Sequence, residues 1–243
     1  MDDHSLHSPF FFDLYSRVIK AESDDDAFYD IEKLRSGLLM NNQVIEVVDF
    51  GSGSSSNRGS VRRINSIART SLTPKKFAQL YRRIIDYFQF QNIIELGTSL
   101  GINTLYLASR SGTRVHTFEG AETIAQTAQK VFNSAGATNI KLINGDINHT
   151  LPEFLRTAKE IDFAFMDANH RYQATLNYFN EIIRQVHRHS VVVLDDIHHS
   201  GEMERAWNEI RQHPSVFGTA DLFRCGLVFF DPSVNRQHHV LRF

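Results

Sequence analysis

The chain has 243 residues, of which 42% are hydrophobic and 22% are charged, and its net charge is -2. This composition is enough for a hydrophobic core and suits one large domain, or one domain with an extension. The near-neutral charge excludes a general attraction to nucleic acid or to anionic membranes. The single cysteine, Cys225, excludes an internal disulfide and favours a reducing compartment.

The N-terminal stretch carries its acidic residues ahead of its apolar residues, which is the reverse of a secretory signal peptide. No apolar run approaches the ~20 residues that a membrane span requires. We therefore predict a cytoplasmic protein that has no membrane partner. Residues 7–15, HSPFFFDLY, place Pro9 before three phenylalanines. This stretch either folds over a pocket as an apolar lid or packs against the domain as a helix.

Acidic and basic residues are unevenly distributed along the first 83 residues of the chain. Residues 1–50 are mostly acidic, whereas eight Lys or Arg and no Asp or Glu lie between Arg58 and Arg83. A basic run attracts phosphates, or it faces solvent or the acidic segment. The Gly- and Ser-rich run at 49–60 is not followed by a second strand that ends in an acid. We interpret this run, with the loop at 51–60, as a mobile loop or lid that leads to the helix at 74 and whose arginines could contact substrate. We assign 1–71 to an N-terminal extension and possible lid.

From residue 72 onward, strand-like and helix-like runs alternate after a helical stripe that follows Pro74. The strand-like runs are 92–96, 114–119, 140–144, 162–167 and 190–196. The helix-like runs are 102–110, 121–135, 150–158, 171–187 and 200–213. Apolar strands separated by helices predict an α/β fold with a doubly wound, mostly parallel sheet that is covered on both faces.

The rhythm changes after the fifth strand. Residues 219–230 and 237–243 flank a turn-rich DPSVNR segment, and this pattern predicts an antiparallel hairpin. We therefore expect residues 72–243 to form one Rossmann-like domain that ends in a hairpin.

A glycine turn at the first strand of this domain is the predicted ligand site, because doubly wound sheets bind ligands beyond the carboxyl ends of their strands. Gly97 and Gly101 follow that strand and lead into a helix. Glu119 ends the next strand, 22 residues beyond Gly97, where a carboxylate can accept hydrogen bonds from both ribose hydroxyls. Asp146 follows the third strand, where it could meet an adenine edge. Together these positions predict an adenosine-type ligand.

The spacing Glu95-x-Gly97-x-x-x-Gly101 lacks the G-x-G-x-x-G of NAD sites and resembles motif I of class I S-adenosylmethionine-dependent methyltransferases. The resemblance spans roughly 72–243. It implies a seven-stranded sheet of order 3-2-1-4-5-7-6 with the last strand antiparallel, and S-adenosylmethionine as cofactor. The cofactor-binding residues implied are Glu95, Gly97, Thr98, Gly101, Asn103, Thr104, Glu119, Gly120, Asp146, Ile147 and Asp167.

Three carboxylates, Asp167, Asp195 and Asp196, follow the fourth and fifth strands, and they repel one another unless a cation compensates. This arrangement resembles catechol O-methyltransferase and its small bacterial relatives, where an aspartate and an Asp-Asn pair hold a metal and a lysine is the base. The resemblance implies a divalent metal such as Mg²⁺ on these three aspartates, with His170 as catalytic base beside Asp167. Here Asp196 replaces the asparagine and His170 replaces the lysine.

The stretch DANHRY, residues 167–172, also resembles the D-x-x-H-x-Y of other bacterial methyltransferases with diverse substrates. Our leading hypothesis is methyl transfer to a small hydroxylated molecule by a monomer or homodimer. One alternative is an RNA or protein acceptor, suggested by the basic run, although the aromatic-basic interleaving of single-strand binders is absent. Another is a non-catalytic binding module on the same fold. Tyr172, His198 and His199 are assigned to packing or to a helix start.

Overall fold

The computed structural model describes residues 8–22, 25–47 and 60–243. Within these ranges the strands are β1 Val44–Val47, β2 Ser60–Arg63, β3 Asn92–Leu96, β4 Arg114–Glu119, β5 Ile140–Asn144, β6 Ile161–Met166, β7 Val186–Leu194, β8 Gly218–Asp221, β9 Gly226–Phe229 and β10 Gln237–Val240. The helices are α1 Pro9–Leu14, α2 Tyr29–Met40, α3 Ile64–Ser71, α4 Lys75–Phe88, α5 Ile102–Ala108, α6 Glu122–Ser134, α7 Ile147–Leu155, α8 Tyr172–Ile182 and α9 Gly201–Arg211.

The main sheet confirms the predicted α/β, mostly parallel class. Its order is β5-β4-β3-β6-β7-β9-β8-β10. Neighbours pair in parallel except at β9, which runs antiparallel to β7 and to β8. The first seven positions reproduce the order 3-2-1-4-5-7-6 that the resemblance implied. The strand count differs, because β10 adds an eighth strand at the edge.

The predicted pairing of 219–230 with 237–243 is wrong. Residues 219–230 hold a hairpin of their own, since β8 pairs antiparallel with β9. The turn forms at Phe223, whose φ is 68° and whose amide donates to Asp221 Oδ1 at 2.9 Å. The carboxylate therefore takes the place of a glycine or proline turn signal. The segment 237–240 then pairs in parallel with β8 instead of antiparallel with the preceding strand.

The chain that leads from the predicted loop to α4 is strand and helix over 60–71. Residues 60–63 form β2, which pairs antiparallel with β1, and 64–71 form α3. Ile64, Ile67 and Ala68 are each 2% exposed. This spacing places the three side chains on one helical face, which packs in a core cluster with residues of α2, α5 and α6. Residues 48–59, which hold most of the predicted loop, lie outside the described residues.

Strand β6 shows how the sheet separates two apolar layers. Phe163 and Phe165 belong to the core cluster on one face, and Ala164 and Met166 belong to the cluster on the other. Alternate side chains of a strand point to opposite faces, so a fully apolar strand must be covered twice. Helices α1, α4 and α5 contribute to the first cluster, and α7, α8 and α9 to the second. Burying each of these phenylalanines stabilises the fold by about 2 to 3 kcal/mol.

The first helix belongs to the core of the domain. Phe11 is fully buried, and its ring centroid lies 5.7 Å from that of Phe229 and 4.4 Å from that of His239. Of the two interpretations of HSPFFFDLY, the described residues therefore show a helix that packs against β9 and β10. None of the described helices is long and apolar enough to cross a bilayer.

Candidate active site

A cavity of about 320 Å³ opens beyond the carboxyl ends of the parallel strands. This is the edge at which doubly wound sheets bind their ligands. The cavity is lined by Val47, Arg62, Ile67, Thr70, Ser71, Gly97, Ser99, Glu119, Gly120, Ala121, Ile124, Asp146, Ile147, Asp167, Ala168, Asn169, His170, Tyr178, Asp196 and Arg224.

The glycine turn brings two backbones close together beneath the cavity. Gly97 has φ 94°, and a Cβ built there would lie 2.2 Å from the carbonyl oxygen of Asp167. Gly101 has φ 83°, and its Cβ would lie 2.6 Å from the Phe132 ring. Both a left-handed conformation and this close approach require glycine. The turn therefore leaves exposed backbone at the cavity floor where a ligand can approach.

Glu95 acts inside the protein and does not line the cavity. Its carboxylate is fully buried and accepts from Asn103 Nδ2 at 2.9 Å, Thr104 Oγ1 at 2.5 Å and Thr117 Oγ1 at 2.7 Å. Burial raises the pKa of Glu95 to about 7, although these three hydrogen bonds oppose the rise. The carboxylate thereby ties the first turns of α5 to β3 and β4, and so holds the glycine turn in place.

Glu119 ends β4 at the cavity wall, as predicted from its spacing to the glycines. Its Oε2 accepts from the Ser99 amide at 2.9 Å, and its Oε1 accepts from the Ala121 amide at 3.0 Å. Each carboxylate oxygen can accept a second hydrogen bond. The backbone bonds therefore fix the carboxylate across the turn, at the wall of the cavity.

Asp146 and Ile147 line the cavity at the end of the third parallel strand of the chain, β5. Asp146 is the N-cap of α7, because its side chain accepts from the Asn148 amide at 2.9 Å. Gly145, at φ 138°, turns the chain from β5 into that cap. The next side chain, that of Ile147, gives this end of the cavity an apolar surface beside a carboxylate.

The loop after β6 carries an imidazole-carboxylate pair. Asn169 and His170 both have left-handed φ, 68° and 44°, which is strained for residues other than glycine. This backbone turns His170 back so that its Nε2 lies 3.2 Å from Asp167 Oδ1. Burial raises the pKa of Asp167, and the bond from His170 opposes that rise. Burial alone would lower the pKa of His170, but the hydrogen bond and charge of Asp167 outweigh burial and raise it.

The two aspartates after β7 point in different directions. Asp195 is fully buried, where it accepts from Tyr81 Oη at 3.3 Å and from Arg224 Nη2 at 2.7 Å. Burial, with the charge of Asp167, raises the pKa of Asp195 to about 7. Asp196 has φ 52°, which turns its side chain into the cavity wall. Its Oδ1 lies 3.5 Å from Arg224 Nη2.

The ligand atoms at this end of the cavity fit a divalent cation, but the set differs from the three aspartates that the sequence predicted. Asp167, His170 and Asp196 each present one ligand atom, and these atoms lie within 4.8 Å of one another. Two carboxylate oxygens and one imidazole nitrogen suit first-row metals such as Mn²⁺ better than Mg²⁺, which prefers oxygen throughout. Asp195, one of the three ligands expected from the sequence, is not in this set because Tyr81 and Arg224 occupy its oxygens.

The predicted cofactor residues divide into two groups. Gly97, Glu119, Gly120, Asp146, Ile147 and Asp167 line the cavity. Glu95, Thr98, Gly101, Asn103 and Thr104 do not, and they support the glycine turn from below instead. Thr98, for example, is 2% exposed, and its hydroxyl lies 2.5 Å from that of Thr117. Among the expected catalytic residues, Asp167 and His170 lie together in the cavity.

Several lining residues were not predicted. Ser99 and Asn169 lie inside turns already singled out, so their neighbours could have indicated them. The wall formed by Val47, Ile67, Thr70 and Ser71 had no local signal, because it depends on how the hairpin and α3 pack over the domain. Arg62, on the same wall, belongs to the basic run whose arginines we expected to contact substrate.

The remaining polar residues near the strand ends make structural contacts. His198 Nε2 lies 2.9 Å from Asp221 Oδ2, to which Trp207 Nε1 also donates at 3.3 Å. The Tyr172 hydroxyl donates to Glu209, which joins α8 to α9. Neither His198 nor Tyr172 lines the cavity, in agreement with their assignment to packing.

The chain matches known methyltransferases in sequence. Residues 94–197 match the protein family described as "Methyltransferase domain". A catechol O-methyltransferase from Niastella koreensis is 28% identical over 193 residues, which cover 74% of this chain and 84% of that protein. The matched family segment holds the glycine turn, Glu119 and the loops after β6 and β7.

Solved structures share the fold. The O-methyltransferase from Bacillus cereus, in complex with SAH, has a TM-score of 0.62 at 16% identity and covers 89% of this chain and 96% of that chain. The SAH-bound methyltransferase PaMTH1 from Podospora anserina has a TM-score of 0.64 at 13% identity, with coverage of 88% and 91%. Likeness at these identities establishes the fold. The match to a methyltransferase domain, the catechol O-methyltransferase relative and the shared fold together support a class I S-adenosylmethionine-dependent methyltransferase.

Proposed function

We propose that this protein transfers the methyl group of S-adenosylmethionine to a hydroxyl oxygen of a small molecule. The observation that carries the proposal is the cavity itself, which has the carboxylate of Glu119 on one wall and the His170–Asp167 pair on another. We assign Glu119 to the ribose. The exposed backbone of the glycine turn lies between them. A cofactor laid across this turn therefore has its methyl group directed toward the imidazole side.

We assign each part of the cofactor to residues that line the cavity. The two oxygens of Glu119 accept hydrogen bonds from the ribose hydroxyls, while their bonds to the Ser99 and Ala121 amides keep them in place. Ile147 offers an apolar surface to the adenine ring, and Asp146 offers an acceptor to its amino group. The exposed backbone at Gly97 admits the methionine part without a side chain in the way.

His170 is the proposed general base. Asp167 holds Nε2–H of the ring, which leaves Nδ1 as the nitrogen that can accept a proton. His170 takes the proton of the acceptor hydroxyl while the oxygen forms its bond to the methyl carbon. The carbon-sulfur bond breaks, its electrons stay on sulfur, and S-adenosylhomocysteine leaves. Asp167 stabilises the imidazolium that results, and positioning of the two reactants supplies much of the acceleration.

In a metal-bound form, a divalent cation would be held by Asp167, Asp196 and His170, whose ligand atoms are mutually close, and His170 would then be a ligand instead of the base. Such an ion would supply Lewis-acid stabilisation of the acceptor oxygen. In that arrangement Asp195 stays paired with Arg224 and serves to position the neighbouring Asp196.

The acceptor class is suggested by a relative. The relative from Niastella koreensis bears the name of a catechol-methylating enzyme. We propose a small hydroxylated acceptor, and we favour it over RNA because Arg62 is the one described arginine of the basic run that lines the cavity.

A transfer assay with matched histidine variants tests this proposal. A panel of hydroxylated small molecules is incubated with S-adenosylmethionine, and methylated products are detected by mass spectrometry. For an acceptor so found, His170→Gln should lower kcat by about 10² to 10⁴ while S-adenosylhomocysteine still binds. His199→Gln is the control, because that exposed ring lies 6.1 Å from the His170 ring and outside the cavity. Unchanged kcat in His170→Gln would refute the assignment of the base.

A further inference from the structure

One wall of the cavity comes from residues outside the segment that matches the methyltransferase family. The hairpin β1–β2 contributes Val47 and Arg62, and α3 contributes Ile67, Thr70 and Ser71. All five precede residue 94, at which the family match begins. This wall therefore lies outside the matched family segment, and its one charged side chain among the described residues is that of Arg62.

The hairpin fixes which side of β2 faces the cavity. In the antiparallel register Ile45 pairs with Arg62 and Val44 with Arg63. Successive residues of a strand point to opposite faces, so Arg62 lines the cavity while Arg63 does not. The Glu46 carbonyl accepts from Thr123 Oγ1 at 2.5 Å, which joins the hairpin to the first turn of α6. This bond joins the hairpin, which carries Arg62 at the cavity, to the rest of the domain.

Carboxylates outnumber arginines among the residues that line the cavity. Four carboxylates line it: Glu119, Asp146, Asp167 and Asp196. The lining arginines are Arg62 and Arg224, and Arg224 is already paired with Asp195 at 2.7 Å and lies 3.5 Å from Asp196. Arg62 has no acidic partner among the residues that the structure describes. It is thus the cation of this cavity that can pair with an anionic group of a ligand.

The cofactor brings one such group. S-adenosylmethionine is cationic at its sulfonium and its amino group, which suit the acidic walls, and it is anionic only at its α-carboxylate. The wall that carries Arg62 is connected to the glycine turn, because the hydroxyls of Ser71 and Ser99 lie 2.8 Å apart. A methionine part that lies over Gly97 and Ser99 therefore presents its carboxylate to this wall, away from Asp167.

We infer that Arg62 binds the α-carboxylate of the methionine part of the cofactor, so that the hairpin β1–β2 completes the cofactor site. This inference rests on the proposed function. Arg62 forms a charge-assisted pair with the carboxylate. The strand β2 and the helix α3 then form a wall of the methionine site instead of a surface for nucleic acid.

The test compares two ligands by calorimetry, namely S-adenosylhomocysteine and its analogue in which hydrogen replaces the α-carboxyl group. Wild type should bind S-adenosylhomocysteine more tightly than the analogue. Arg62→Gln should weaken binding of S-adenosylhomocysteine about tenfold to hundredfold and leave binding of the analogue unchanged. The matched control is Arg63→Gln, which removes the same charge from the opposite face of the strand and should change neither affinity. Thermal unfolding verifies that each variant is folded.

The outcomes separate the inference from the proposed function. If Arg62→Gln weakens both ligands equally, or neither, the carboxylate assignment is wrong while the cofactor site stands. If Arg62→Gln spares both ligands but raises the KM of a methyl acceptor, the arginine serves the acceptor, and the inference is again overturned. If wild type binds neither ligand, both the inference and the proposed function fail.

Discussion

Burial of Glu95 predicts that the folded state loses stability as the pH rises. The carboxyl group is fully buried, and burial raises its pKa from 4.5 to about 7. The unfolded chain releases this proton near pH 4.5, whereas the folded protein keeps it until about pH 7. The contribution to stability is therefore fully present below about pH 4.5 and is lost as the pH rises through about 7.

The size of this effect follows from the same two pKa values. At about 1.4 kcal/mol per pH unit, the full difference corresponds to about 3 kcal/mol. Between about pH 5 and about pH 8.5 the change is about 2 to 3 kcal/mol, because the unfolded group is already partly ionised at the lower pH. Glu95→Gln removes the titration. It keeps an acceptor for Asn103, and its amide can donate to the hydroxyls of Thr104 or Thr117.

Urea unfolding of wild type and Glu95→Gln at these two pH values measures the effect. The free energy of unfolding of wild type, taken relative to the variant, should fall by about 2 to 3 kcal/mol on going to the higher pH. Taking the difference cancels the contributions to the free energy of unfolding from the other buried groups, which titrate in both proteins. Glu153→Gln, at an exposed position of α7, should give no such change. A difference between wild type and Glu95→Gln that does not vary with pH would show that the carboxylate is not perturbed by burial.

Two further substitutions probe the packing of the site. Gly97→Ala places a Cβ within 2.2 Å of the Asp167 carbonyl oxygen and should abolish S-adenosylhomocysteine binding, whereas Gly112→Ala, with a similar φ of 84° but no atom within 4 Å, should retain it. Equal binding by both alanine variants would contradict the close approach. Arg224→Leu leaves the buried Asp195 without its ion-pair partner and should lower the free energy of unfolding by about 3 kcal/mol. Arg205→Leu removes an exposed arginine that is stacked on the half-buried Tyr172, and it should cost less than about 1 kcal/mol. Similar losses for the two variants in urea unfolding would refute the buried pair.

The parallel part of the fold could be predicted from the sequence because each strand carries buried apolar residues and each is followed by a helical pattern. The runs 92–96, 114–119 and 140–144 coincide with β3, β4 and β5. The strand predicted at 190–196 differs, since β7 begins earlier, at Val186. Residues 187–189 are polar, and all four residues 186–189 are half-buried or exposed, so periodicity gave no sign that they extend the strand.

The position of the C-terminal hairpin could not be predicted because its turn lacks the usual glycine, proline or asparagine. Phe223 adopts a left-handed conformation that glycine or asparagine would normally supply, and the Asp221 side chain stabilises it through a bond to the Phe223 amide. A sequence pattern records residue types and not this local hydrogen bond. The run 219–230 therefore read as one strand when it holds two.

In the candidate site, the sequence indicated the correct loops but not the direction of each side chain. Adjacent aspartates follow β7, and only the backbone turn at Asp196, with φ 52°, decides that this residue faces the cavity while Asp195 is buried. The wall that carries Arg62 depends on packing across a hairpin. Contacts of that kind join residues distant in sequence, which no local motif encodes.

The central claim is that the cavity binds an S-adenosyl nucleoside with its ribose on Glu119, and calorimetry with S-adenosylhomocysteine tests it most directly. Wild type should bind one equivalent. Glu119→Ala, which removes the acceptor for both ribose hydroxyls, should weaken binding about a hundredfold or more. Glu122→Gln, at an exposed position in the next helix, should bind as wild type does. No binding by wild type, or equal binding by wild type and Glu119→Ala, would contradict the account.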